Sequence, residues 1–406
     1  MRSREYVTFK QRRRPSAEAL VLADGVRGAR RMPRGRLVAG REAPEHWTGP
    51  RFRLTILIAG GGTGGHLFPG LALADALAAH GASVTFVGTA AGIEARAVPA
   101  AGYPLRLLPG RQLRGGGMPR ALAGLASAAG GTLRALALLG ELRPRLVVGV
   151  GGYASVAVVI AASLRRIPTV LLEQNVVPGA ANRVLARLAR RICVGFAESI
   201  AFLPRARAVH TGNPVRADLI RPRPPRARPG LLVFGGSAGA HRLNQAMLDA
   251  LGPLGPTLAG LDLTHQTGAA DLETVRAAYA ARGLAARVEP FIADMGAAYA
   301  AADLVVARAG ATTCAELTAV GLPAILVPYP YATDDHQRRN AEVLVRAGAA
   351  EMILDAALDG ERLGTALRAL LEDAGRRETM AARARALGRP DAAERVATEC
   401  LRLAAA

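Results

Sequence analysis

Aromatic residues make up 4% of the 406-residue chain, and Lys10 is the one lysine among 52 basic residues. Set against 32 acidic residues, the basic ones leave a formal charge of +20. A charge of that size raises nucleic acid as a partner. Too few aromatics are present to stack unpaired bases, and no known base-reading motif occurs, so nucleic acid is not expected. With Ala and Gly abundant, the choice of Arg over Lys reads as a GC-rich coding bias, which leaves the charge itself to be located. Cysteine is scarce too. Cys193, Cys314 and Cys400 lie far apart with no CxxC, which excludes a disulfide framework, argues against a structural zinc site and fits a reducing compartment. Long apolar runs are missing. The longest largely apolar stretch, residues 154–164, has 11 residues, well short of the ~18 a spanning helix needs. Arg12–Arg14 are followed by no apolar segment, so a secretory signal is not expected and the chain should stay on the cytoplasmic side.

Residues 1–53 carry 14 basic and 5 acidic residues, a net +9. No period of 2 or 3.6 is sustained there, so this stretch reads as a disordered extension or an over-long start, with a basic arm for nucleic acid or lipid as the alternative. Trp47, the sole tryptophan, falls within it.

From residue 54 onward, short aliphatic runs alternate with amphipathic stretches. Strands are expected near 54–58, 84–87, 105–108, 146–150, 169–172, 192–194 and 208–210, with a helix over 67–80 after the Gly-rich turn 60–65. Residues 213–230 hold five arginines against one acid and are rich in proline, the texture of a linker between domains. The pattern then restarts with strands near 231–234, 261–265, 286–288, 304–307, 324–327 and 351–353. Both halves open on a strand, a Gly-Gly-Thr/Ser-x-Gly turn and a helix. Such alternation dictates an α/β protein with parallel sheets covered on both faces, here two Rossmann-like, doubly wound domains facing across a cleft. The expected divisions are 54–212, the linker 213–230, 231–385, and a closing helix within 386–406.

Gly60, Gly62 and Gly65 match the dinucleotide pattern G-x-G-x-x-G, but the second strand ends in Gly88-Thr89, with no acid before Glu94 to hold a ribose. No Gly-Lys-Ser/Thr occurs, so a Walker loop is excluded. The turns remain either tight βα connections or anion cradles, since glycine admits close backbone approach and a helix N-terminus attracts negative charge. The segment 308–316 again joins a strand to a helix. Glu316 sits in its early turns, where it suits either a ribose diol or simply the helix dipole. Asp334-Asp-His-Gln337 precedes another helix, either as a sugar-hydroxyl site or as a capping cluster.

Eight motifs in register carry a specific resemblance: Gly61-Gly-Thr-Gly-Gly-His66, Gly151-Gly-Tyr-Ala-Ser155, Glu173-Gln-Asn175, Gly212-Asn-Pro-Val-Arg216, Gly235-Gly-Ser-Ala-Gly239, Pro290-Phe-Ile-Ala-Asp294, the segment 308–316 and His336-Gln337. Together they resemble the MurG family of glycosyltransferases, over residues 54 to about 350. The resemblance implies the GT-B fold and an inverting transfer of N-acetylglucosamine from UDP-GlcNAc to an undecaprenyl-linked muramyl-pentapeptide in peptidoglycan synthesis. It implies no cofactor and no essential metal. On the donor side it implies roles for Thr63, Gly64, Gly65, Asn175 and Arg216 from the first half. From the second half it implies Ser237, Ile292, Ala311, Thr312, Thr313, Glu316 and Gln337, with Glu316 on the ribose and Ile292 contacting uracil through its backbone. His66 is the expected catalytic base, with Glu173 as the rival for that role or His66 instead orienting the acceptor. A lipid-borne acceptor implies a peripheral enzyme on the cytoplasmic face of the membrane. Residues 111–145, with six arginines and one glutamate among leucines, are the expected contact with anionic headgroups, or else an ordinary solvated helix. Related transferases and epimerases with soluble acceptors, and a catalytically silent scaffold, are the competing readings.

Overall fold

A computed structural model describes residues 54–108, 118–236 and 239–406, without the side chains of 118–129, 153, 253 and 256. Residues 1–53 and the Gly-rich stretch 115–117 therefore lie outside the described residues. The first domain alternates β1 (Thr55–Gly60), α1 (Gly64–Ala79), β2 (Ser83–Gly88), α2 (Glu94–Ala100), β3 (Leu105–Leu107), α3 (Met118–Leu142), β4 (Leu146–Gly151), α4 (Tyr153–Leu164), β5 (Thr169–Glu173), α5 (Ala180–Leu185), β6 (Arg191–Val194) and β7 (Ala208–His210). The second runs β8 (Gly230–Phe234), α6 (His241–Ala259), β9 (Asp262–Gln266), α7 (Leu272–Ala280), β10 (Ala286–Glu289), α8 (Met295–Ala300), β11 (Leu304–Ala307), α9 (Ala311–Val320), β12 (Ala324–Leu326), α10 (His336–Arg346), β13 (Ala350–Met352), α11 (Gly360–Glu372) and α12 (Ala374–Leu387). A last helix, α13 (Ala392–Ala405), follows.

Both sheets are parallel, ordered β3-β2-β1-β4-β5-β6-β7 and β10-β9-β8-β11-β12-β13. Strands buried on both faces need near-continuous aliphatic runs, and Ile56–Ala59, Leu146–Val148 and Leu304–Ala307 supply them with no exposed surface. The strand order reverses between β1 and β4 in one sheet and between β8 and β11 in the other. In open α/β sheets, ligands bind outside the carboxyl ends of the strands at such points.

The closing helix belongs to the first domain's core. Val396, Ala397, Cys400 and Ala404 of α13 bury against Ile56, Leu71 and Leu73, so the chain crosses the hinge a second time after α12. All three cysteines are buried, and burial pushes the Cys193 and Cys314 thiols up to about 12, which leaves them protonated and unreactive.

The linker's charge has a local destination. Arg221 pairs with Asp294 at 2.9 Å, and Arg223 and Arg226 both pair with Asp303, so three of its five arginines fasten it to the second domain. Arg216 is not among them: it lies 3.8 Å from Asp218 within the same segment and packs over Phe68 of the first domain.

Candidate active site

The helix after β1 starts earlier than its apolar spacing predicts, at Gly64 rather than Leu67, so Gly64, Gly65 and His66 form its first turn. Thr63 is the exposed N-cap, and its side chain makes no capping bond. The turn before it is tied to the neighbouring β4–α4 turn, with Gly61 N donating to Gly151 O at 3.3 Å. A Cβ on Gly152 would stand 2.6 Å from the Gly61 carbonyl, and its φ of +81° is costly for any other residue.

Glu94 holds this turn from beneath. It is 1% exposed, and its carboxylate accepts from Gly62 N (2.7 Å), Thr89 N (2.9 Å) and Thr89 Oγ1 (3.0 Å). In the sequence Glu94 is notable only for arriving too late to bind a ribose. In the fold that lateness is its role, because α2 starts there and turns the carboxyl back under the glycines.

His66 points toward the end of β4. Its Nδ1 lies 3.2 Å from Gln174 Oε1, and Gln174 Nε2 donates to Val150 O at 3.0 Å. Burial lowers the His66 pKa below 6.5, opposed by the nearby Glu173 carboxylate and the Gln174 contact and reinforced by His336 of the facing domain. The ring is thus neutral at ordinary pH. Glu173 is 2% exposed and occupied differently: its two oxygens accept from Asn175 N (3.0 Å), Gly179 N (3.1 Å) and Asn182 Nδ2 (2.9 Å). A carboxylate engaged in that way shapes the 173–179 loop.

The second domain meets this surface with the N-terminus of α9. Thr312 Oγ1 donates to Gly65 O at 3.2 Å, across the cleft. Ala311 is buried and Thr313 partly buried in the same first turn, after Gly310 as N-cap. Glu316, one turn further and partly buried, accepts from the Tyr299 hydroxyl at 2.8 Å. Burial raises its pKa, while the Tyr299 bond and Arg216 pull it back down. Arg216 stands over the Phe68 ring at 5.2 Å, a cation–π contact joining the hinge to α1. Gln337 Oε1 accepts from Tyr329 N at 2.9 Å and so shapes the loop before α10. Ile292 is 3% exposed, within the second domain's core. Ser237 lies outside the described residues.

Asn175 is drawn into the domain interface. Its Oδ1 accepts from Asn340 Nδ2 at 3.1 Å, while Asn340 Oδ1 accepts from Val176 N at 3.0 Å. Asn340 is fully buried and also donates to Ala309 O at 3.3 Å, so one side chain clasps both domains. Sequence reasoning missed Asn340, Glu94 and Gln174. For Asn340 a signal existed in its spacing of three from Gln337, which puts both on one face of α10.

Two facing Rossmann-like domains with helix N-termini at a shared cleft define the GT-B architecture. The chain belongs to glycosyltransferase family 28: residues 56–194 match the family's N-terminal domain and residues 230–396 its C-terminal domain. It is 48% identical over 356 residues to the UDP-N-acetylglucosamine--N-acetylmuramyl-(pentapeptide) pyrophosphoryl-undecaprenol N-acetylglucosamine transferase of Myxococcus xanthus, covering 86% of this chain and 93% of that one. The enzyme of the same name from Geobacter metallireducens is 46% identical, with 86% of this chain and 98% of that one covered. Among solved structures, MurG of Acinetobacter baumannii superposes with a TM-score of 0.71 at 32% identity, covering 86% of this chain and 99% of that one.

Proposed function

We propose that this chain transfers N-acetylglucosamine from UDP-GlcNAc to the 4-hydroxyl of undecaprenyl-pyrophosphoryl-MurNAc-pentapeptide, inverting the anomeric carbon. The observation that carries the reading is the seam between Gly65 and Thr312, which brings His66 and the α9 N-terminus to one cleft. The acceptor oxygen attacks C1 as the C1–O bond to the diphosphate breaks, and the hydroxyl proton passes to His66. The departing UDP gains negative charge. Arg216 and the N-termini of α1 and α9 supply the opposing potential, which is strongest where closure excludes water. Glu316 is the ribose partner in this reading, with Thr63, Gly64, Asn175, Thr313 and Gln337 around the sugar and phosphates. The reading calls for no cofactor and no metal, so turnover should survive EDTA.

Because the acceptor is anchored in lipid, the reading places the chain peripherally on the cytoplasmic face of the membrane, with anionic lipid as its surface. No described helix is long and apolar enough to cross a membrane. Leu133 of α3 and Leu164 at the end of α4 are 67% and 66% exposed, with exposed Arg134, Arg165 and Arg166 beside them in the chain. Arg165 packs toward Gly140, two helical turns from Leu133, so the end of α4 lies beside the side of α3 that carries Leu133. Apolar side chains ringed by arginine suit a headgroup layer. Residues 111–117, the more Arg-rich start of the expected segment, lie outside the described residues.

The deciding experiment is UDP release from UDP-GlcNAc, measured with and without the muramyl-pentapeptide lipid acceptor. Acceptor-dependent release with formation of the disaccharide lipid supports the reading. Release that ignores the acceptor, or none at all, overturns it.

A further inference from the structure

We infer that Gln174 is a positioning residue that fixes the tautomer of His66, keeping the proton on Nδ1 and the lone pair on Nε2, where an incoming hydroxyl can deliver its proton. The inference rests on His66 being the base, and it adds the reason why this imidazole is competent. A neutral histidine can carry its proton on either nitrogen, and which one is decided by the partner of the other. Here the partner is itself constrained. Gln174 is 2% exposed and donates Nε2–H to the Val150 carbonyl at 3.0 Å, so its amide oxygen is the atom turned to His66 Nδ1 at 3.2 Å. Flipping the amide would set two oxygens against each other at Val150 and offer His66 a donor in place of an acceptor.

The imidazole is held against that partner by backbone. A Cβ at Gly151 would stand 2.7 Å from Nδ1 and 2.8 Å from Cε1, so this glycine, at φ +104°, is what lets the ring lie on the end of β4. The Gln174 oxygen beside Nδ1 thus favours a proton there. In water, free histidine favours the opposite tautomer. Relieved of Gln174, His66 would hold its proton on the nitrogen that has to accept one.

The choice of an amide has its own consequence. A carboxylate in that place, as in a serine-protease triad, would orient the ring but also stabilise its protonated form. Glu173 and His336 are the charged or titratable neighbours that act on His66, and they oppose each other. An amide therefore selects the tautomer while leaving the imidazole unprotonated at the pH of the cytoplasm.

The test uses the full chain carrying Gln174→Met or Gln174→Glu, with His66 observed by nitrogen-15 NMR in protein labelled at histidine. Wild type should show a protonated Nδ1 and an unprotonated Nε2. In Gln174→Met the proton should move to Nε2, and kcat should fall about 10- to 100-fold while UDP affinity, which also reports folding, stays within about twofold. Gln174→Glu should retain the Nδ1–H tautomer, recover turnover over Gln174→Met, and raise the acid limb of the pH profile by about one pH unit. A wild-type ring protonated on Nε2 overturns the inference, as does a Gln174→Met variant with unchanged tautomer or unchanged kcat. The base reading fails separately: His66→Ala with near-normal turnover would remove it whatever tautomer the spectra show.

Discussion

Pro69 lies four residues after Gly65 in α1, and it leaves the Gly65 carbonyl without the N–H that would normally occupy it within the helix. The facing domain supplies the missing donor, because Thr312 Oγ1 reaches that same oxygen at 3.2 Å. A proline that would otherwise weaken the helix thus opens an acceptor at the point where the domains meet.

Removing the donor should loosen closure. A net hydrogen bond is worth about 0.5–1.5 kcal/mol, so Thr312→Val should raise the KM for UDP-GlcNAc roughly 2- to 10-fold. Pro69→Ala offers Gly65 an intrahelical partner and should shift KM the same way by a smaller factor. Steady-state kinetics on both variants are the check, and an unchanged KM in Thr312→Val would show that the bond contributes nothing to donor binding.

His66→Ala should lower kcat by roughly 10²–10⁴ with UDP affinity nearly unchanged, the range expected when a positioned base is lost. Burial holds the ring's pKa below 6.5, so the free enzyme's kcat/KM should stay level on acidification through 6.5 and fall only at lower pH. A profile whose acid limb lies above 6.5 would contradict the buried, neutral imidazole.

Why these features differ in legibility follows from sequence distance. The strands and glycine turns could be read directly, since each is a local pattern of aliphatic residues and breakers. Ala208–His210 and Leu304–Ala307 coincide with their predicted bounds. The first helix was read late because Gly64 and Gly65 look like turn residues, whereas their backbone is already helical. The supporting contacts of the site were not legible in the same way. Gln174 meets His66 across 108 residues and Asn340 meets Asn175 across 165, pairings that only the sheet order and the hinge create. Glu173 shows the converse. Its type and motif suit a base, yet two N–H groups of its own loop and the Asn182 amide of α5 donate to its oxygens.

Acid should destabilise the second domain through His265, which has no part in the proposed chemistry. It is fully buried between the Tyr279 hydroxyl at 2.8 Å and Asn244 Oδ1 at 3.1 Å. Asn244 Nδ2 is committed to Thr267 O at 2.9 Å, so its oxygen faces the ring, Nε2–H donates to it, and Nδ1 accepts from Tyr279. Burial pushes the His265 pKa down to about 3. Between about 3 and 6.5 the unfolded chain binds a proton that the native chain refuses, so stability present above 6.5 is lost as pH falls, by up to about 1.4 kcal/mol per pH unit. Urea unfolding at pH 7 and pH 5 should show uptake of at least one proton, as His66 and His210 are lowered in the same sense. No fall in stability over that interval would refute the buried neutral His265.

Under the proposed function, attachment to an anionic membrane should depend on Leu133, Leu164, Arg165 and Arg166. Each arginine near an anionic surface contributes about 1 kcal/mol, so Arg165→Ser with Arg166→Ser should weaken vesicle partitioning by about 2 kcal/mol, roughly thirtyfold. Leu164→Ser should weaken it further without altering the salt dependence, because its contribution is apolar burial and not charge. Flotation with vesicles of graded anionic-lipid content, with residues 1–53 retained in every variant, separates the two effects. Partitioning that ignores both lipid charge and salt would remove the arginines from the attachment. Partitioning of the double Arg variant that matches wild type at every lipid composition would move the attachment to another face of the molecule.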